Sequence, residues 1–394
     1  MGTISIHEVF FVKKKVLMFG SYLLVAMLAT ALTLTIVNYE VGLRPTKLEQ
    51  LESLIGERFI GEADMEAVAD AAADAMVTAT GDRWSYYIPA SEYESYREQM
   101  ANAYVGVGIT IQVTEENEGF QIVAVTAGGP AEEAGLMVGD LLVMVNEQDV
   151  RGMETSDVRN LVRGEEGTCI SMTVLRQGVV KELEVERRKV ETPVATYEML
   201  EDNVGLVSID NFDSRCADET IAAIEALLDN GAEKLIFDVR NNPGGYASEL
   251  VKVLDYLLPE GELFRTVNYK GEENVDYSDE DHLDIPMAVL VNGSSYSAAE
   301  FFAAALSEYD VATVIGEQTT GKGYFQTTYQ LNDGSAVALS IGKYFTPKGK
   351  SLADVGITPD VVVTVDEETA SAIYYDILAP EEDPQIQAAL KALK

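Results

Sequence analysis

Histidine, cysteine and basic charge are what this sequence lacks. His7 and His282 are the two histidines in 394 residues, and His282 is embedded among Glu272, Glu273, Asp276, Asp279, Glu280, Asp281 and Asp284. A catalytic base must therefore come from another side chain. Two cysteines, Cys169 and Cys216, exclude a disulfide framework, and neither lies in a CxxC that would bind zinc or exchange thiols. Both read as unpaired small hydrophobes. Lysine and arginine number 28 against 66 acidic residues, and the resulting charge of −38 repels a phosphate backbone and excludes nucleic acid as a partner. No EF-hand spacing organises the acids, so the stretch 272–284 reads as a solvated loop, and neither metal nor cofactor is expected.

What is present argues for a folded chain of two or three domains: 47% of residues are hydrophobic, with 19 Tyr and 12 Phe to build cores. Val16 to Val37 is a run of 22 residues without a charge, preceded by Lys13, Lys14 and Lys15. At about 1.5 Å per residue such a run matches a hydrocarbon core of about 30 Å, and the lysines place a tail over 1–15 in the cytoplasm. The expectation is a single-pass cell-membrane protein anchored through this helix, with everything from about residue 40 onward extracytoplasmic. A cleaved signal peptide ending at Ala29-Thr30-Ala31 is the alternative.

Residues 40–103 carry apolar side chains at three and four spacing, which predicts two or three helices with a break at Gly81-Asp82. Trp84, Tyr86 and Tyr87 follow the break and read as a small packing cluster. Over 104–188 the pattern turns to short strands with glycine punctuation and a helix near Ser156 to Val162. From 189 to 365 strands and helices alternate, with strands at 204–208, 234–240, 287–292 and 312–317, helices at 217–230, 246–257 and 297–308, and strands near 324–331 and 336–345. Alternation of this kind predicts βα units on a parallel sheet. A helical extension over 366–394 completes the chain.

Gly106-Val107-Gly108-Ile109 ahead of a strand, Gly129-Pro130-Ala131 through Ala134-Gly135-Leu136, Gly139-Asp140 and Val145-Asn146 give the 104–188 module a resemblance to a bacterial PDZ domain. The resemblance implies that Gly106, Val107, Gly108 and Ile109 capture a C-terminal tail, free backbone N–H groups taking its carboxylate and the strand pairing with it. The motifs Asp238-Val239-Arg240-Asn241-Asn242-Pro243-Gly244-Gly245, Asn292-Gly293-Ser294-Ser295-Tyr296-Ser297-Ala298-Ala299-Glu300, Thr320-Gly321-Lys322-Gly323-Tyr324-Phe325-Gln326 and Phe345-Thr346-Pro347 with Gly356-Ile357-Thr358-Pro359-Asp360 resemble the C-terminal processing (tail-specific) serine peptidases. That resemblance implies an α/β core of the ClpP/crotonase-like class with the PDZ domain inserted. It also implies Ser297 as nucleophile, Lys322 as base and Gln326 orienting the lysine. Tyr296 departs from the smaller residue the family usually carries before its nucleophile.

Element lengths support this set. A helix over 297–308 travels about 18 Å and a strand over 312–317 returns about 20 Å, which brings Lys322 back to the level of Ser297. Lys322 must lose proton affinity to act near neutral pH, which burial achieves. In an extended stretch Lys322, Tyr324 and Gln326 share one face. The Ala298 N–H at the helix start and the N–H of Gly244 or Gly245 are the candidate oxyanion donors. Protein substrates recognised by their tails are the expected partners, and a homo-oligomer is allowed. The competing readings are a non-catalytic PDZ scaffold and small-molecule chemistry of the crotonase type.

Overall fold

The computed structural model describes residues 18–33, 45–114 and 118–394. They divide into two compact units after Gly81. In the first unit, helices cover residues 18–33, Lys47–Arg58 and Met65–Thr78. Thr46 starts the second of these with a reciprocal cap: its hydroxyl accepts from the Glu49 N–H at 3.3 Å, and the Glu49 carboxylate accepts from the Thr46 N–H at 2.6 Å.

The transmembrane helix expected over Val16 to Val37, and the single-pass cell-membrane location drawn from it, are overturned. Among the described residues no helix is long and apolar enough to cross a membrane. The helix described in this stretch covers 18–33. Residues 16, 17 and 34–37, like the expected tail over 1–15 and its His7, lie outside the described residues.

A six-stranded sheet organises the second unit, in the order Ala195–Met199, Val204–Ile209, Lys234–Asp238, Met287–Val291, Ala312–Gly316, Val361–Val362. All neighbours are parallel except the first pair. Its strands read as unbroken apolar runs because both faces are covered. Val207, Ile209, Leu235, Phe237, Val289 and Val291 pack against helices Cys216–Asp229, Ala247–Leu257 and Ala298–Glu308. On the other face Leu206, Ile236, Ala288, Leu290 and Ile315 meet Ile386, Ala389, Leu390 and Leu393 of the C-terminal helix region. That helix, Pro384–Ala392, is therefore a wall of the core rather than an appendage.

A second, antiparallel sheet joins Tyr86–Ile88, Ala336–Phe345, Gly261–Asn268 and Glu273–Ser278, with Tyr324–Gln330 also on Ala336–Phe345. The acidic stretch expected as a loop is thus partly a strand, because Glu273–Ser278 pairs with the hairpin partner Gly261–Asn268. Trp84 and Tyr86 belong to this unit and not to the helices before Gly81.

Strands Ile109–Val113, Phe120–Val125, Leu141–Val145, Cys169–Arg176 and Val179–Glu186 form a separate antiparallel sheet around a core that includes Phe120, Ile122, Leu142, Ile170 and Met172. Ala103–Gly106 pairs antiparallel with Arg188–Glu191, so the chain enters and leaves this module through one two-stranded neck. Cys169 is exposed, Cys216 is buried, and both are free.

Candidate active site

Three loops at the carboxyl ends of Lys234–Asp238, Met287–Val291 and Ala312–Gly316 meet at one edge of the parallel sheet, where βα connections of such sheets converge. Side-chain and backbone bonds lock them together. Asn241 N–H donates to Asn292 Oδ1 at 3.0 Å and Asn292 Nδ2 returns a bond to Asn241 Oδ1 at 2.9 Å. Ser295 Oγ donates to the Val239 carbonyl at 2.7 Å, and Thr320 Oγ1 donates to the Gly293 carbonyl at 2.7 Å. Arg240, 5% exposed at its side chain, reaches Asp238 Oδ1 at 2.9 Å and Asp383 Oδ2 at 2.7 Å, so the glycine turn is braced from the C-terminal helix.

Ser297 caps helix Ala298–Glu308 and is itself outside it, with φ 58° and ψ −124°. A non-glycine residue in that region is strained and persists only when its surroundings hold it. Glu300 does the holding. Fully buried, its Oε2 accepts from the Ser297 N–H at 3.0 Å and from the Lys322 N–H at 2.8 Å. Its Oε1 accepts from Thr319 Oγ1 at 2.5 Å and the Gly321 N–H at 2.8 Å. One carboxyl oxygen therefore ties the turn of Ser297 to the turn of Lys322, which are 25 positions apart in the chain.

Lys322 Nζ sits 5.0 Å from the centre of the Trp84 ring and 5.6 Å from that of Tyr296, and these two rings stack on each other at 5.9 Å. Burial drives the Lys322 amine down to about 8, against an opposing pull from the Asp82 and Glu300 carboxyls. No carboxylate forms an ion pair with it among the described residues. Ser297, Lys322, Gln326, Gly244, Gly245, Tyr296 and Tyr344 all line one cleft of about 970 Å³. No hydrogen bond joins Ser297 Oγ to Lys322 Nζ among the described residues; the Ser297 side chain faces the Tyr344 phenol, whose proton affinity burial raises. Gln326 follows a bulge in the Tyr324–Gln330 pairing, and its amide donates to the Tyr324 carbonyl at 3.2 Å and to Ser340 Oγ at 2.9 Å.

Of the candidate oxyanion donors, the Gly244 N–H is engaged by Asn242 Oδ1 at 2.8 Å. Gly244 packs against the Ser297 turn so closely that a Cβ there would lie 2.7 Å from Ser297 Cβ and 2.9 Å from the Ala298 nitrogen. Gly245 has φ 151°, and a Cβ on it would fall 2.3 Å from the Phe212 carbonyl carbon. The turn therefore requires glycine at both positions.

In the inserted module, Gly106 and Gly108 flank a buried Val107, and Gly108 has φ 78°. Ile109–Val113 pairs with one neighbour, Phe120–Val125, and is an edge strand. Helix Thr155–Val162 carries Val158 and Val162 into the same core.

Sequence reasoning missed the role of Glu300. The Ser-x-x-Glu spacing announces a capping box for the helix start, but nothing in the pattern reveals the second pair of bonds to Gly321 and Lys322. Trp84, read as part of a packing cluster, stacks on Tyr296, and its ring also meets the Lys322 amine.

A parallel α/β core with a serine-bearing turn, a lysine loop and an inserted PDZ-like module defines a class of serine peptidase. Residues 203–363 match Peptidase family S41, and residues 121–176 match the PDZ domain family. The carboxy-terminal processing protease CtpA of Bacillus subtilis (strain 168) is 31% identical over 362 residues, covering 89% of this chain and 77% of that protein. A protein described as "Probable CtpA-like serine protease" from Staphylococcus aureus (strain COL) is 29% identical over 358 residues, 88% of this chain and 71% of its own length. Among solved structures, the photosystem II D1 C-terminal processing protease is similar at 27% identity and a TM-score of 0.46, covering 80% of this chain and 86% of that one. The chain belongs to peptidase family S41 and is a serine-type C-terminal processing protease with a PDZ domain.

Proposed function

We propose that the protein cleaves peptide bonds with a Ser297/Lys322 dyad and selects substrates by their C-terminal tails through the PDZ domain. The observation that carries the dyad is the Glu300 carboxyl, which holds the backbones of Ser297 and Lys322 on the same oxygen at 3.0 and 2.8 Å. Both side chains then open into one cleft.

In this reading the Lys322 amine, drawn down to about 8 by burial, takes the Ser297 hydroxyl proton as Oγ attacks the scissile carbonyl carbon. The same proton passes to the departing amine nitrogen, and a water then releases the acyl group with Lys322 again as base. Gln326 assists without adding charge: with its Nε2 committed to Tyr324 and Ser340, its carbonyl oxygen is the group left to accept from the lysine. The bond between nucleophile and base forms with substrate in place, since such contacts are commonly longer in the free enzyme. Ala298 N–H serves the oxyanion from the helix start, and Gly245 is the better second donor because the Gly244 N–H already serves Asn242. Gly106 to Ile109 offer backbone N–H groups to a tail carboxylate, and the open edge of Ile109–Val113 accepts the tail as an added strand.

Ser297→Ala and Lys322→Ala should each abolish cleavage of a tailed protein while leaving the fold and tail affinity intact. Parental turnover in either variant refutes the dyad. A non-catalytic scaffold predicts tail binding without an acyl-enzyme, so the mass of Ser297 after fluorophosphonate treatment separates that reading.

A further inference from the structure

The cleft holds one buried acid, Asp213, with a carboxyl oxygen that no donor satisfies among the described residues. Asp213 is 6% exposed, lines the cleft beside Gly244 and Gly245, and its Oδ1 is buried without a hydrogen-bond partner. Hydrogen bonds fix the backbone around it. The Phe212 N–H donates to the Gly244 carbonyl at 2.7 Å, the Tyr246 N–H donates to the Phe212 carbonyl at 2.7 Å, and the Asp213 N–H donates to Asn211 Oδ1 at 2.9 Å. The fold treats other buried acids differently: Asp140 grips Arg176 at 2.6 Å and Asp383 grips Arg240 at 2.7 Å. A buried carboxyl left without a donor is costly, and in a cleft it points to a partner supplied by the ligand.

We propose that Asp213 is a specificity-determining residue that receives a lysine or arginine side chain of the substrate close to the scissile bond. The proposal rests on the assignment of Ser297 as nucleophile for its placement relative to that bond, because the Gly244-Gly245 turn lies between Ser297 and Asp213. The cleft suits a cation on a long stem. Tyr86, Tyr96 and Tyr246 are among its lining residues, aromatic groups of the kind that pack methylenes and make cation–π contacts. Burial pushes the Asp213 carboxyl up to about 7, so the arrival of a cation near neutral pH completes an ionisation already within reach. Of the other cations on the cleft wall, Arg97 pairs with Glu94 at 3.3 Å, Arg83 stacks over Trp84 at 4.4 Å, and Lys322 is the base assigned to Ser297. A net charge of −38 favours the approach of basic substrates.

The test uses the full chain and a series of peptides with one fixed C-terminal tail, in which each position flanking the cleaved bond is in turn Lys, Arg, Met or Gln. The parent should favour Lys and Arg at one fixed position by at least tenfold in kcat/KM. Asp213→Asn should cut turnover of those basic peptides by about 10- to 100-fold while leaving the Met peptide unchanged, the range expected for a hydrogen bond to a charged group. Preference for Gln at that position, no preference, preference surviving in Asp213→Asn, or equal loss on every peptide each overturns the proposal. Binding of the same peptides to Ser297→Ala gives a reading independent of turnover. If Ser297→Ala still cleaves, the nucleophile assignment fails, while the basic preference is still decided by Asp213→Asn. Circular dichroism melting checks the fold, and Asp213→Ser repeats the comparison if the asparagine variant is unstable.

Discussion

Replacing Gln326 by Glu is the sharpest way to interrogate the base. Lys322 lies at about 8 because burial disfavours its charged form, and the nearby carboxyls of Asp82 and Glu300 already oppose that effect. At pH 7 an amine of that pKa is free of its proton about a tenth of the time. Position 326 lines the same cleft as Lys322, and an added carboxylate close to an amine raises its pKa by about 1–3 units. The free-amine fraction at pH 7 then drops to about 1% or below, so kcat/KM falls at least about tenfold. The loss is conditional on pH: activity should climb back as pH approaches about 10, because the base is only protonated and not removed. A pH profile of kcat/KM on one tailed peptide is the assay, with the parent rising through an inflection near 8 and Gln326→Glu rising later. An inflection that stays near 8, or a loss of constant size at every pH, would show that Lys322 is not the titrating base or that position 326 does not sense it.

Three further outcomes follow from the same geometry. Lys322→Met should abolish turnover yet stabilise the fold at pH 7 by up to about 3 kcal/mol. The sign follows from linkage: the folded amine, depressed to about 8, binds fewer protons than the unfolded one between about 8 and 10.5, so the parent gains stability as pH rises through that window and is penalised below it. Urea unfolding at pH 7 and pH 10 measures this, and equal stabilisation at both pH values contradicts it. Glu300→Gln should lower the unfolding free energy by about 2–4 kcal/mol and kcat by about 100-fold, since an amide nitrogen then faces N–H groups that the carboxyl accepted from; parental kcat removes Glu300 from the positioning role. Gly245→Ala should fail to fold or lose activity entirely, because its Cβ would collide with the Phe212 backbone at 2.3 Å, and a soluble, active alanine variant contradicts the described turn.

Much of the α/β region is legible from periodicity alone. Strands Val204–Ile209, Met287–Val291 and Ala312–Gly316 and helix Ala298–Glu308 fall within a residue or so of their expected places, because strands buried on both faces are continuous apolar runs and helices between them carry one apolar stripe. The acidic strand Glu273–Ser278 was not legible, since its stability comes from pairing with Gly261–Asn268 and not from its own composition. The membrane expectation failed for a related reason. A run of uncharged residues records hydrophobicity, whereas a span needs one helix long and apolar enough to cross, and none is found among the described residues.

At the site, sequence by itself narrowed which chemistries are open: His282 is surrounded by acids and no usable thiol pattern appears, which leaves a lysine as the candidate base for a serine. Loop order at one sheet edge also follows from chain connectivity. Tertiary structure decided what surrounds the amine and what binds the turns together. Trp84 reaches Lys322 from more than 200 positions away, Glu300 bonds to both turns, and Asp213 is left without a donor. Each of these depends on distances between residues remote in the chain, and a linear pattern carries residue types and spacings but not the meeting of two distant surfaces.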